Sequence, residues 1–198
     1  MNENVRRSEK KQSIISEAFD YLEIFIFAAC AVLILFSCSF RLCTVDGSSM
    51  EKTLLGGQTL LISDVFYEPK NGDIVVFHQT GDDDFYNKPL VKRVIATEGQ
   101  WIYIEYGLDN AMSVYVSDDE TIDDFDLIEE PYANLQPGPA MYQNKYKARV
   151  PEGRVFVMGD NRYNSADSRN PNIGFVDCGR ILGKVLLRIT PDAFGAIG

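Results

Sequence analysis

The chain has 198 residues, a net charge of −10 and a single histidine, His78. This length allows one domain with a sizeable core and short additional segments. The acidic balance argues against nucleic acid as a partner, because a protein that binds nucleic acid needs a basic surface for the phosphates.

The N-terminal region contains an uncharged apolar segment, residues 24–40. It is apolar on all sides, so it predicts a transmembrane helix rather than an amphipathic core helix, and we place the helix at residues 18–41. Four basic residues lie within residues 1–17 and only Arg41 follows closely, which predicts a cytoplasmic N-terminal tail and an extracytoplasmic domain at 42–198. A cleavable signal peptide is the alternative, but no clear small-x-small site follows, so we expect an uncleaved anchor.

The remainder of the chain consists of short runs rich in Val, Ile, Phe and Tyr between Gly, Asn and Asp turns, such as "TLLISDVFY", "DIVVFHQ" and "GRILGKVLLRIT". These runs predict a mostly β domain with antiparallel strands, barrel-like or sandwich-like. An acidic insertion near residues 107–147 contains the segment 108–130, which includes Glu130 and has no Lys or Arg, and this segment is expected to be a solvated loop or surface hairpin. A calcium loop is the alternative, but the glycine-punctuated spacing of such loops is absent from this segment.

The cysteines are too few and too scattered for a structural metal centre. The chain has four cysteines and no CxxC or Cys/His cluster, so we expect no metal site. Only Cys43 and Cys178 could meet in the exported part. A disulfide between them is possible in an oxidising compartment, but we expect two free thiols.

The stretch "VDGSSMEKTL" offers two adjacent serines, and a serine nucleophile needs a base in contact with it. His78 ends the run "DIVVFH" at an expected strand end, a common place for a solvated histidine. A lysine can serve instead if burial lowers its pKa from about 10.4. In "PLVKRVIAT", Lys92 shares a strand face with Val94 and Ala96, although most strand lysines reach solvent.

The motifs "GSSMEKTL", "GDIVVF", "VKRVIATEGQ" and "VFVMGDNRYNSADSR" follow one N-terminal anchor in this order. Together they resemble the conserved segments of bacterial type I signal peptidases, membrane-anchored serine proteases with a Ser-Lys dyad. The resemblance implies an antiparallel β-barrel-like catalytic domain at 42–198. It also implies a membrane-bound enzyme that cuts after small-x-small sites of the Ala-x-Ala type and so releases signal peptides from exported preproteins.

The resemblance assigns the two catalytic roles by position. Ser49, directly before Met50, takes the place of the nucleophile, and Ser48 is a neighbour without that role. Lys92 takes the place of the general base. Ser165 matches a serine that hydrogen-bonds the lysine and orients it.

Four charged residues match supporting pairs of the family. Asp167 and Arg169 correspond to one pair that shapes the site, and Asp160 and Arg93 correspond to another. An ordinary buried ion pair with no direct catalytic part is an alternative for all four.

Three positions surround the expected nucleophile. The backbone N–H of Ser49 is expected to form the oxyanion hole. Some relatives add a serine hydroxyl at the position of Gly47, so here a main-chain donor or a water is expected to replace it. Met50 is expected to line the substrate groove. Lys52 occupies the position of the family's usual proline, and its turn position predicts exposure.

The resemblance also implies the surroundings of the enzyme: signal peptides as substrates, membrane lipid, nearby secretion machinery and a single-pass location in the cell membrane. It implies no metal and no organic cofactor. One alternative is a soluble Ser-Lys autoprotease of the repressor-cleaving type, which the apolar segment opposes. Another is a signal-peptidase-like assembly factor that has lost catalytic power, which the presence of both Ser49 and Lys92 opposes.

Overall fold

The structure, a computed structural model, describes residues 3–79, 88–107, 111–121, 126–135, 145–190 and 193–197. The chain forms two compact units, Met1–Phe40 and Arg41–Gly198. The first unit is helix α1 (Glu3–Ser39), and its part Glu17–Ser37 is 21 residues long and apolar enough to cross a membrane.

The helix differs from the predicted span 18–41 at both ends. It begins at Glu3, because residues 3–17 contain neither Gly nor Pro and include many good helix formers. It ends at Ser39, and Arg41 already belongs to the first strand.

The second unit is built from strands, as predicted. The strands are β1 (Arg41–Thr44), β2 (Thr59–Ser63), β3 (Ile74–His78), β4 (Pro89–Ala96), β5 (Trp101–Tyr106), β6 (Met112–Ser117), β7 (Asp126–Leu127), β8 (Tyr146–Arg149), β9 (Arg154–Met158), β10 (Val176–Asp177), β11 (Ile181–Thr190) and β12 (Ala193–Ala196). A short 3-10 turn, Cys178–Arg180, precedes β11.

The strands form two antiparallel sheets. The larger sheet has the order β1-β2-β11-β3-β4-β9-β10, and β12 also pairs with β11. The smaller sheet has the order β7-β6-β5-β8. The prediction of a mostly β, antiparallel domain is therefore confirmed, although among the described strands the larger sheet is open, with β1 and β10 at its edges.

The smaller sheet shows the alternation expected of a strand pair with one buried face. Ile102 and Ile104 of β5 are buried together with Val114 of β6, and they pack on Ile95 and Phe156 of the larger sheet. This shared core fixes the smaller sheet against strands β4 and β9.

Strand β4 does not alternate, because its last six residues are all buried. Both of its faces are covered, since a second apolar cluster containing Val91 and a third containing Val94 lie beside the core shared with the smaller sheet. A lysine in this strand is therefore removed from water whichever face it takes.

The acidic insertion is only partly the solvated segment that the sequence predicts. Asp118, Asp119 and Glu120 are exposed, whereas Glu130 pairs with the buried Arg162 at 2.5 Å. Residues 122–125, which include two of the acidic positions, lie outside the described residues.

Candidate active site

The candidate nucleophile, Ser49, lies in a tight turn between β1 and β2. The turn begins at Gly47, whose φ of +95° lies in the left-handed region that favours glycine. It then curls like a helical turn, because the amide of Glu51 donates to Ser48 O at 3.0 Å and the amide of Leu54 donates to Met50 O at 2.8 Å.

The expectation that Met50 lines the substrate groove is wrong. Its side chain is 1% exposed and packs in the core with Leu54 and Leu60. The curl of the turn directs Met50 inward, so this side chain anchors the turn and leaves the adjacent Ser49 at the cleft.

The candidate base, Lys92, lies on β4 and is 2% exposed. Its Nζ lies 2.8 Å from Ser49 Oγ and 2.8 Å from the carbonyl oxygen of Val91. The structure thus brings together the two residues that the sequence analysis paired across 43 positions of the chain.

Burial lowers the pKa of Lys92 to about 8, against the charges of Asp167 and Asp160, which raise it. The physical cause is the loss of hydration of the ammonium in an apolar surround. A substantial fraction of this amine is therefore neutral slightly above neutral pH, as a proton acceptor must be.

His78 has a different position. It ends β3 opposite Pro89 of β4, whereas Lys92 lies opposite Val75. Three residue pairs separate the two positions, about 10 Å at ~3.3 Å per residue. The hydrogen bond of Ser49 Oγ to a basic side chain goes to Lys92.

One predicted charge pair joins β4 to the loop after β9. Arg93 Nε donates to Asp160 Oδ1 at 2.9 Å and Arg93 Nη2 donates to Asp160 Oδ2 at 2.8 Å, with both residues buried. Thr53 Oγ1 also donates to Asp160 Oδ2 at 2.5 Å. The pair therefore connects the strand of the candidate base to the turn of the candidate nucleophile.

The second predicted pair lies within the same loop. Arg169 donates to both carboxylate oxygens of Asp167 at 2.8 Å, and the amide of Gly159 donates to Asp167 Oδ2 at 3.0 Å. Burial alone raises the pKa of Asp167, but the charge and hydrogen bonds of Arg169 bring it below its ordinary value. The carboxylate therefore stays ionised and holds the loop in shape.

Ser165 is close to these groups but does not make the predicted bond to Lys92. Its buried hydroxyl has no partner within ordinary hydrogen-bond geometry among the described residues, although it is near enough to lower the pKa of Asp167. Packing explains its position: a Cβ at Gly159 would lie 2.2 Å from Ser165 Oγ and 2.5 Å from Ser49 O. The glycine thus allows the two serine-bearing segments to approach each other.

Two asparagines that sequence reasoning left without a role hold the nucleophile's turn. The amide of Asn161 donates to Ser49 O at 3.0 Å, and Asn161 Nδ2 donates to Ser48 O at 3.1 Å. Asn164 Nδ2 donates to Ser48 Oγ at 2.9 Å. Both asparagines lie in the motif "GDNRYNS", but the motif alone does not predict which oxygens of the turn they bind.

Ser49 and Lys92 line a cleft of about 620 Å³. The other lining residues are Asp46, Gly47, Ser48, Lys88, Pro89, Leu90, Asn164, Ser165 and Ala166. Most of them are small or uncharged; Asp46 and Lys88 are the charged residues among them.

Comparison with known proteins identifies the family of the chain. The model of the family described as "Signal peptidase, peptidase S26" matches residues 18–190. The chain belongs to this signal peptidase family. Its members are serine proteases, and signal peptides are their substrates.

Individual signal peptidases resemble the chain over most of its length. A probable signal peptidase I-1 of Synechocystis sp. is 36% identical over 78% of this chain and 74% of its own. The signal peptidase I of Bacillus licheniformis is 32% identical over 88% of this chain and 90% of its own. A solved signal peptidase I from Enterococcus faecalis V583 is 24% identical, with a TM-score of 0.41 over 60% of this chain and 97% of that structure.

The remaining sequence predictions concern the cysteines and Lys52. Cys43 and Cys178 are free thiols, as expected. Lys52 is exposed, also as expected, but its φ is +90°, and a proline cannot adopt this value.

Proposed function

We propose that this chain is a membrane-bound signal peptidase I that hydrolyses preproteins after small-x-small sites of the Ala-x-Ala type. One observation carries the proposal: a buried lysine amine lies 2.8 Å from the Ser49 hydroxyl at a cleft open to an extended peptide. A weakly basic, dry amine in contact with a hydroxyl is the arrangement that activates a serine without histidine.

In the proposed reaction, neutral Lys92 accepts the proton of Ser49 while Ser49 Oγ attacks the scissile carbonyl carbon. The oxygen of that carbonyl becomes negative and is stabilised by the backbone N–H of Ser49, which the side-chain-free Gly47 leaves accessible. Lys92 then gives the proton to the leaving amine as the peptide bond breaks. A water, deprotonated by the same amine, hydrolyses the acyl-enzyme and restores Ser49.

The residues around the dyad support this sequence of steps by holding positions. Lys92 is oriented by the Val91 carbonyl, and the Ser49 carbonyl is held by Asn161. Fixing both partners of a proton transfer removes much of the entropy cost of reaching the reactive geometry. We assign Asp160, Arg93, Asp167 and Arg169 to this positioning role.

The place of the substrate follows from the chain itself. Ser49 is only ten residues beyond the end of α1 at Ser39. We propose that α1 crosses the cell membrane with its basic N-terminal end in the cytoplasm, so that the β unit meets signal peptides on the outer side, next to membrane lipid and the secretion machinery.

The alternative function is a signal-peptidase-like assembly factor that does not cleave. The contact between Ser49 and Lys92 favours the enzyme, because a buried lysine destabilises a fold and has no purpose in a purely structural site. A measurement of peptide cleavage distinguishes the two functions.

The test uses the full chain in detergent and a peptide with one Ala-x-Ala site, with products located by mass spectrometry. We expect Ser49→Ala and Lys92→Ala to lower kcat/KM by at least about 1,000-fold, whereas the control His78→Ala keeps the rate within about 10-fold. The parent's kcat/KM should rise with pH through about 8, as Lys92 loses its proton.

Three results would contradict the proposal. If Ser49→Ala still cleaves the peptide, Ser49 is not the nucleophile. If His78→Ala lowers kcat/KM as much as Lys92→Ala does, the base is His78. Absence of cleavage by the parent on several Ala-x-Ala peptides favours the assembly factor.

A further inference from the structure

The acidic insertion contributes a short segment to the site, which we call the strap: residues 130–134. We propose that Lys52 is a positioning residue for Ser49, and that it acts by tying the nucleophile's turn to the strap. This inference rests on the proposed function and adds a residue and a chain segment to its machinery.

The tie is made by the Lys52 ammonium and two main-chain carbonyls. Lys52 Nζ donates to Ala133 O at 2.9 Å and to Pro131 O at 3.3 Å. The backbone of Lys52 has φ +90°, which is strained for a residue with a side chain. A strained backbone persists where surrounding contacts hold it, and these two hydrogen bonds are such contacts.

The strap is itself fixed by charged and aromatic contacts. Arg162 donates to both carboxylate oxygens of Glu130, at 2.6 and 2.5 Å. The guanidinium of Arg93 lies 3.8 Å from the centroid of the Tyr132 ring. Because the Glu130–Arg162 pair is buried, the strap is a built part of the β unit, unlike the exposed acidic residues that precede it in the insertion.

The strap also joins the main chain of the loop that holds Ser49. The amide of Asn134 donates to Asp160 O at 2.7 Å, and the amide of Arg162 donates to Asn134 O at 3.2 Å. Asn161 lies between Asp160 and Arg162 in this loop, and its amide donates to Ser49 O.

These contacts close a ring. The nucleophile's turn reaches the strap through Lys52, the strap reaches the loop at 160–162, and the loop returns to the turn through Asn161 and through the Thr53–Asp160 hydrogen bond. Ser49 is part of this ring, because the Asn161 amide donates to Ser49 O, so removing the Lys52 hydrogen bonds releases one of the restraints on its turn. A displacement of about 1 Å at a reacting group is enough to cost up to about 100-fold in rate.

The ring also explains why lysine can replace the family's usual proline. Proline fixes φ near −65°, whereas this turn has φ +90° at position 52. The turn therefore cannot accept proline without rebuilding. Here the side chain's two hydrogen bonds restrain the turn in place of a rigid ring.

The experiment compares substitutions at position 52 in the full chain in detergent. Lys52→Gly relieves the backbone strain and removes the ammonium, so we expect kcat to fall about 10-fold with KM changed less than about 3-fold. Lys52→Arg keeps the donors and should retain most of kcat. Lys52→Pro should be less active than Lys52→Gly, although it restores the family's usual residue.

A double-mutant cycle and a matched control separate the tie from a general loss of structure. Lys145→Gly removes an exposed lysine whose ammonium lies 3.9 Å from Glu105, and it should leave kcat unchanged. Glu130→Gln loosens the strap from its other side. If Lys52 acts through the strap, the combined loss of kcat is smaller than the product of the two single losses.

Hydrogen exchange gives a readout that does not depend on activity. Lys52→Gly should raise amide exchange at residues 133–134 and 49–54, and Lys145→Gly should not. Unchanged kcat and exchange in Lys52→Gly, multiplicative losses in the cycle, or higher activity in Lys52→Pro than in Lys52→Gly would each overturn the inference. If the parent does not cleave at all, the proposed function fails, and exchange alone still decides whether the tie exists.

Discussion

The two sheets of the β unit differ in whether their charged side chains are buried. The larger sheet and the loop after β9 bury ionised or ionisable groups, among them Lys92, Arg93 and Asp160. The smaller sheet buries apolar side chains and leaves its ion pair, Lys145–Glu105, at the surface with 3.9 Å between the charged atoms.

This difference separates a sheet built for stability from a sheet that carries a site. Burying a charge costs several kcal/mol, which only good ion-pair geometry and hydrogen bonds offset. The smaller sheet avoids that cost, and its apolar face covers β4 and β9. The larger sheet buries charged groups despite this desolvation cost, and burial lowers the pKa of its Lys92.

The largest expected effect is the loss of one buried partner. Asp160→Asn leaves Arg93 buried beside a neutral amide, so we expect the free energy of unfolding to fall by about 3–5 kcal/mol. Glu105→Gln, the matched change in the smaller sheet, should cost less than about 1 kcal/mol because its partner is exposed. Urea unfolding of both variants measures the difference, and similar losses would remove the contrast between the sheets.

The close packing around Gly159 gives the second prediction. In Gly159→Ala the new Cβ would overlap Ser165 Oγ at 2.2 Å and Ser49 O at 2.5 Å. We expect a loss of about 1–3 kcal/mol in stability and at least about 100-fold in kcat. The control is Gly56→Ala, where the nearest atom, Gly47 O, is 3.7 Å away. A Gly159→Ala enzyme with the parent's rate would show that the two serine segments need not be this close.

The smallest expected effect is a gain in stability. The pKa of Lys92 is about 8 in the folded protein and 10.5 ordinarily, so below pH 8 both states hold the proton and the folded state bears the full cost of the buried charge. The folded state loses that proton first as the pH rises, so this cost disappears between pH 8 and 10.5. At pH 7, Lys92→Met should be inactive yet more stable than the parent by about 1–3 kcal/mol.

Unfolding curves at several pH values test this gain. The advantage of Lys92→Met should shrink as the pH rises from 8 toward 10.5. A methionine variant that is less stable than the parent at pH 7 would mean that the lysine's contacts outweigh its desolvation.

Much of the architecture was predictable from local patterns. The alternation of apolar and polar residues predicts the strand pair β5 and β6, and the uniformly apolar segment predicts the N-terminal helix. The continuous burial of β4 gives no periodic signal, so Lys92 is singled out by the order of the motifs around it.

The sequence could not predict contacts between distant segments. Lys52 meets Ala133 across 81 positions, and Arg162 meets Glu130 across 32, so neither contact leaves a periodic trace. Glu130 was grouped with its solvated acidic neighbours for that reason. Met50 was misplaced because the direction of a turn side chain depends on the curl of the turn, which composition does not encode.

The cleft beside Lys92 is open, whereas the lysine at its base is almost dry. If Lys92 is the general base, as proposed, a peptide that fills the cleft will exclude water from the amine and lower its pKa further. On the same proposal, the amine is more fully protonated, and therefore less reactive, when the cleft is empty.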